Sequence, residues 1–402
     1  MQRLALLLTF LFVLAFRQME AQLFPDSSRV YGELNLELWA DYRYFLESGL
    51  YEGQERHFPS FAATPEFFLE WEDGAQQFRF KGFLRYDVQD NERTHWDVRA
   101  FYWLINRNQW EFSIGLKKVF WGVTESVHLV DIINQTDAVE SFDGEQKLGQ
   151  PMVHTSYVSK IGIWDVFAMP YARKRQFPGR EGRLRTPVLL DPSDAIFEND
   201  AEAFFPTMAL RWSNSMGPFD VGVSQFYGTA REPFFQFTSD GGIRELYPII
   251  YQAGLDVLAI TGPAIWKLET IVRTQELQDF TAVAAGVEYT IGNIRGSGID
   301  LGIIGEYLYD SRGDLAFTSL DNDWFTGFRL AFNDVSSTEI LFGVIVDLAR
   351  GSQLYSVEAS RRFGSSWKLE LEARIIGQTE ANEFLEFFRQ DSFAQVRVIR
   401  FF

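Results

Sequence analysis

From Val30 to Phe402 the chain runs through about eighteen stretches of roughly ten residues that alternate apolar and polar side chains, and none is apolar and long enough to cross a bilayer as a helix. Period-two alternation places one set of side chains on each face of a strand. Val30, Leu34, Leu36, Leu38, Ala40, Tyr42 and Tyr44 share a face, opposite Glu33, Asn35, Glu37, Asp41 and Arg43. Phe78, Phe80, Leu84 and Tyr86 likewise oppose Arg79, Lys81, Arg85 and Asp87, and the last strand sets Ala394, Val396, Val398 and Phe402 on one side. Soluble sandwiches alternate too, so the connections carry the decision.

Every second connection is short, as at 73–76, 159–160, 261–263 and 364–366. The intervening ones include nearly all the long ones, at 47–60, 120–151, 172–203, 229–245, 310–323 and 379–391; those around Gln89, Glu276 and Gly351 stay short. A sandwich would scatter its loop lengths, whereas short turns on one rim and long loops on the other are the arrangement of membrane barrels. The expected fold is all-β: a single transmembrane antiparallel up-and-down β-barrel of about 18 strands, or 16 if 153–157 merges with its neighbour. Barrels of that size enclose water, while eight-stranded ones fill with side chains.

Composition agrees. Aromatic residues reach 16%, with 39 Phe, at an overall hydrophobic content of 46%. This suits strands that show lipid only alternate residues and carry aromatic girdles. Residues 1–21 have the layout of a signal peptide, with Arg3, an apolar run over 4–16 and a polar stretch ending at Ala21. Cleavage there would leave 22–402 as the barrel, with long extracellular loops near 120–151 and 172–203. The absence of cysteine excludes disulfides, thiolate-bound metals and a cysteine-linked lipid anchor. A formal charge of −18 argues against nucleic acid as a partner.

The inward faces carry segregated charge. Glu33, Glu37, Asp41, Glu66 and Glu70 come from the first two strands, and Arg79, Lys81, Arg85, Arg99 and Lys117 from the next three. As pore-lining residues these would set up a transverse field across the lumen; the bland alternative is pairing of opposite charges along a wet wall. The segment 120–151 mixes Leu, Val and Ile with Trp121, Asp131, Asn134 and Asp137, which suggests an inward constriction. A basic stretch holds Arg173, Lys174, Arg175, Arg180, Arg183 and Arg185, either attracting anions or lipid phosphates or forming a solvated loop.

Gly115, Trp121-Gly122, the run Val130-Asp131-Ile132-Ile133-Asn134 and Pro151-Met152-Val153 together resemble a large group of poorly characterised porin-like barrels. There a strand ends in Trp-Gly and leads to an Asn-containing loop. The match spans about sixty residues. Glu usually follows Trp-Gly and Pro usually follows Asn in that group, where this chain has Val123 and Gln135. The resemblance implies a channel-like role without naming a solute.

An enzyme reading is weighed on His154 and Ser156, two apart on one strand and so on one face. Outer-membrane phospholipases carry such a pair on the outer wall, followed by Asn-Gly, but Tyr157 and Val158 follow here. No catalytic residue, metal site or cofactor is expected. The expectation is a passive outer-membrane channel of a Gram-negative bacterium for small hydrophilic or amphipathic solutes, reached by export through the periplasm. The alternative is a non-conducting adhesin or assembly scaffold. Expected partners are outer-membrane lipid, lipopolysaccharide and the barrel-assembly machinery, with the barrel a monomer or homotrimer.

Overall fold

A computed structural model describes residues 30–402 apart from 239–241, 277, 314–315, 317–319 and 382; the signal peptide expected at 1–21 lies outside the described residues. The first strands are β1 (Val30–Phe45), β2 (His57–Trp71), β3 (Gln76–Asp87), β4 (Trp96–Arg107), β5 (Trp110–Lys117), β6 (Gln150–Ser159), β7 (Gly162–Met169), β8 (Ile196–Phe197), β9 (Thr207–Met216) and β10 (Phe219–Thr229). After them come β11 (Phe234–Phe237), β12 (Ile243–Tyr247), β13 (Ile249–Thr261), β14 (Ala264–Gln275), β15 (Phe280–Ile291) and β16 (Asp300–Asp310). The chain closes with β17 (Asn322–Ala331), β18 (Glu339–Asp347), β19 (Gln353–Phe363), β20 (Trp367–Ile376) and β21 (Phe393–Phe401).

Eighteen of these pair antiparallel in chain order, and β8, β11 and β12 form a separate small sheet between long loops. The ring closes at β1, where Trp39 lies opposite Ala62 of β2 on one side and Ile399 of β21 on the other. The Phe402 N–H donates to the Leu36 carbonyl at 2.9 Å and finishes the seam. Closure satisfies the backbone groups of every strand from both sides, which hydrocarbon surroundings demand. The sixteen-strand alternative does not apply, because β6 and β7 are distinct strands joined by the turn after Ser159.

Outward side chains are apolar and exposed. Leu38, Phe101, Phe112, Val153, Val223 and Val272 lie along the strands. Tyr42, Tyr86, Trp96, Tyr251 and Trp324 lie toward the long-loop rim, and Trp110, Trp164, Trp266, Tyr289 and Trp367 toward the short-turn rim. Two aromatic belts flanking an aliphatic band match a slab of lipid. Arg400 also points outward, its guanidinium 4.9 Å from the Trp367 ring, as a snorkelling side chain would.

The inward face is not uniformly polar. On β6, β7, β9, β10 and β13–β15 it carries Met152, Phe167, Met169, Ala209, Phe226, Ile250, Ile271, Phe280 and Ala282. A wet lumen would leave those residues exposed to water. Instead the connection between β5 and β6, residues 118–149, folds into the barrel and packs Trp121, Val130, Ile132 and Ile133 against them. Val130 and Ile133 are fully buried, each worth about 1.5–3 kcal/mol relative to exposure. The inward segment begins two residues earlier than the 120 expected, and strand β6 resumes at Gln150.

Candidate functional site in the barrel lumen

Segment 118–149 leaves β5, reaches the far wall, comes back to its base at Asn134, and then makes a second excursion, the return limb, past β4, β3 and β20 before entering β6. At the far wall Glu269 of β14, fully buried, accepts from Val123 N (2.6 Å), Thr124 N (3.0 Å), Thr124 Oγ1 (2.7 Å) and Val130 N (3.2 Å). Glu306 of β16 accepts from Glu125 N (2.8 Å) and Ser126 N (2.9 Å). Two wall carboxylates thus hold the first turn of the segment by its backbone. Gly122 makes this fit possible: its φ is +153°, and a Cβ there would stand 2.6 Å from His128 Nδ1 and 3.2 Å from Glu269 Oε1.

His128 sits between Glu145 (3.2 Å) and Glu269 (3.7 Å). Burial opposes its charge, but the two carboxylates prevail and push it up to about 10. Asn134 secures the base of the segment: its Oδ1 accepts from Val119 N (2.8 Å), and its Nδ2 donates to the carbonyls of Lys117 (2.9 Å) and Leu148 (2.8 Å). Trp121 packs at 5.6 Å from Phe167, and its N–H reaches Asp131 at 3.3 Å. Burial raises Asp131 above the usual carboxylate range, although Lys147 lies 3.4 Å away.

The return limb is held by side chains. Asp137 pairs with Arg99 and lies 3.5 Å from His95; burial works against its charge, yet His95 and Arg99 hold it down at about 2. Glu140 pairs with Arg85 at 2.6 Å, and Arg85 also bonds Asp41, which Arg397 contacts at 2.6 Å. Asp143 meets Arg374 at 2.8 Å, and Phe142 packs edge-on to Phe388. A bulge in β4 turns both Arg99 and Ala100 inward. Gly149 passes over it, where a Cβ would lie 2.4 Å from the Val98 carbonyl.

The acids and bases expected to line the pore do face inward, but they are largely paired. Glu66 binds Arg79 and lies 3.1 Å from Lys81. Lys117 reaches Glu111 (3.5 Å) and His154 Nδ1 (3.1 Å). Glu37 accepts from the Trp39 indole at 3.2 Å, Glu33 from Asn35 at 2.9 Å, and Glu70 stands half-buried near the short-turn rim. Among the cavities beside the segment, one of about 290 Å³ lies against His128, Asp131, Lys147, Arg273 and Arg312 with mixed charge, and two others meet at Gln146. One of these two, of about 290 Å³, is lined by Arg79, Lys81, Arg99, Lys117 and Lys118 and by no carboxylate. The other, of about 360 Å³, lies between the segment and β17–β21 and sets eight carboxylates, four of them from the segment, against four cationic side chains.

The basic stretch is dispersed. Arg173 reaches down to Asp97 (2.7 Å) and the Gly149 carbonyl (2.9 Å), and Arg175 to Gln135 (3.3 Å). Lys174 donates to the Pro192 carbonyl at 2.8 Å, and Arg185 lies 4.0 Å from the Tyr51 ring centre. Arg183 is buried and ties three loops, donating to Asp391 (2.6 Å) and to the carbonyls of Glu47 (3.2 Å) and Glu55 (3.1 Å). Arg180 is left exposed.

The phospholipase arrangement fails on orientation: His154 and Ser156 face the lumen rather than lipid. His154 stacks on Phe167 at 4.3 Å, and its Nε2 lies 2.9 Å from Asp165. Its Nδ1 is 3.4 Å from Ser113 Oγ but is also taken by Lys117. Sequence reading missed Glu269, Glu306 and Lys118. Inward parity within an alternating strand was the available signal for the two glutamates.

No family model matches the sequence, and no curated protein matches it significantly. Among solved structures, Wzi, an outer-membrane protein of Escherichia coli involved in group 1 capsule assembly and described as a carbohydrate-binding β-barrel, superposes with a TM-score of 0.53 at 8% identity. That match covers 92% of this chain and 84% of Wzi. OpdQ of Pseudomonas aeruginosa gives a TM-score of 0.52 at 10% identity, over 92% of this chain and 98% of OpdQ. The chain therefore has the porin-like fold of outer-membrane proteins, a closed eighteen-stranded antiparallel barrel with a segment folded into its lumen.

Proposed function

We propose that this barrel is an outer-membrane channel through which small hydrophilic or amphipathic solutes diffuse passively, narrowed by segment 118–149. The observation that carries the reading is that cavities remain beside that segment, two of which, meeting at Gln146, have walls of opposite charge. A lumen sealed for purely structural reasons would gain nothing from leaving charged walls wet. Opposed acidic and basic walls also orient dipolar solutes as they pass. In this reading residues 1–21 direct export through the periplasm of a Gram-negative cell, and the long loops face outward.

A second reading is favoured by the long-loop rim. Arg183 and Leu184 carry the connection between β7 and β9 across the mouth to β1 and β21, and Tyr247 of the small sheet is fully buried. Loops packed this way suit a non-conducting barrel that binds a glycan outside; Wzi is described as a carbohydrate-binding β-barrel. Single-channel recording of the purified barrel under a salt gradient decides between them. Steady conductance with a shifted reversal potential supports diffusion. A folded, silent barrel supports the second reading.

A further inference from the structure

Five cationic side chains line the basic cavity beside β3–β5, and four of them have acidic partners outside its lining. Arg79 and Lys81 share Glu66, Arg99 holds Asp97 and Asp137, and Lys117 reaches Glu111. Lys118 stands apart: among the described residues it has no ion pair or hydrogen bond. It lies just past the end of β5, where the chain turns inward, and is exposed in the cavity wall. Tyr102, whose ring centre is 5.5 Å from Lys117 Nζ, forms part of the wall.

We propose that this cavity is a binding site for a small oxyanion, the carboxylate or phosphate group of a solute, with the Lys118 ammonium as its principal ligand. Asp137 and Asp97 attract Lys118 only at a distance, and an ammonium with no direct ion pair among the described residues, in a wall of like charge, is relieved by an anion that accepts its hydrogen bonds. Its proton is already weakened, since burial and then the neighbouring Arg99 and Lys81 lower Lys118 to about 8. The cavity is large enough for a group of a few heavy atoms together with water. The inference builds on the diffusion reading by naming the chemistry of the solute, and it is testable apart from it.

The experiment titrates the purified, folded barrel in detergent with sodium phosphate and, separately, sodium acetate, following binding calorimetrically, and records conductance of the same preparation. Binding of either anion that weakens about tenfold in Lys118→Gln and is retained in Lys118→Arg supports the site, a charge-assisted hydrogen bond being worth that much. Tightness for phosphate over acetate, or the reverse, says which group the solute carries. Unchanged affinity in Lys118→Gln, or no binding of either anion, overturns the site. A barrel that binds but does not conduct removes the diffusion reading and leaves the site. One that conducts with affinities indifferent to Lys118 does the opposite.

Discussion

The two limbs of segment 118–149 are held by opposite chemistries. On the outgoing limb, wall carboxylates Glu269 and Glu306 take mainly the segment's backbone N–H groups, with the Thr124 and Ser126 hydroxyls and His128 adding to them and Gly122 giving the room. On the return limb, wall guanidinium groups of Arg85, Arg99 and Arg374 take the segment's own Asp137, Glu140 and Asp143. The first attachment is specified mainly by the wall and the second by both partners. The difference teaches that a lumenal segment can be fixed mainly by its backbone at one end and by its sequence at the other.

The comparison breaks most sharply at Arg85. Replacing it with Met leaves Asp41 and Glu140 buried with an uncompensated charge between them, at a cost of about 3–5 kcal/mol in urea unfolding of the barrel. Hydrogen exchange should rise over 137–147 while 119–130 stays protected. Loosening of both limbs together would show the segment to be one cooperative unit. Next comes Asn134→Ala, which removes three buried hydrogen bonds at the base of the segment and should cost about 2–3 kcal/mol, with exchange rising at Val119. Glu269→Gln keeps an acceptor but loses the charge; about 1.5–3 kcal/mol is expected, with exchange confined to 123–130.

A pH titration sharpens the same contrast. His128, raised in the folded state, contributes stability that is fully present below its unfolded value of 6.5 and is lost as pH rises through about 10. Asp137, depressed, contributes stability that is fully present above 3.8 and is lost as pH falls toward about 2. Alkali should therefore weaken the outgoing limb through His128 while sparing the return limb's Asp137–Arg99 pair, which acid weakens instead. Nitrogen NMR of histidine-labelled barrel checks the first arm, since His128 should remain an imidazolium at pH 8.5. The smallest effect is expected for the exposed Arg180→Gln, within about 0.5 kcal/mol of the parent.

Strand number, closure and the two rims were legible from residue alternation and loop lengths, because burial on one face and lipid on the other force a period of two. The stretch from Trp121 to Asn134 also announced itself, since apolar residues in a long loop need something to cover. What they cover was hidden: Phe167, Phe226, Ile271 and Phe280 point inward as apolar positions among polar, charged or small ones, as Ile271 does between Glu269 and Arg273. Such inward apolar positions were the signal that part of the lumen is dry.

Sequence by itself determined that this chain must close into a barrel, since its backbone groups have no other way to be satisfied in lipid, and that its lumen carries charge on the inward parity. Only tertiary structure decided which charges are spent on each other. Glu269 meets Val123 across 146 positions of chain and Arg183 meets Asp391 across 208. Pairing at such separations depends on ring closure and on the path of one segment through the lumen, neither of which local periodicity encodes. The same closure leaves Lys118 without an ion pair among the described residues while its four cationic neighbours find theirs.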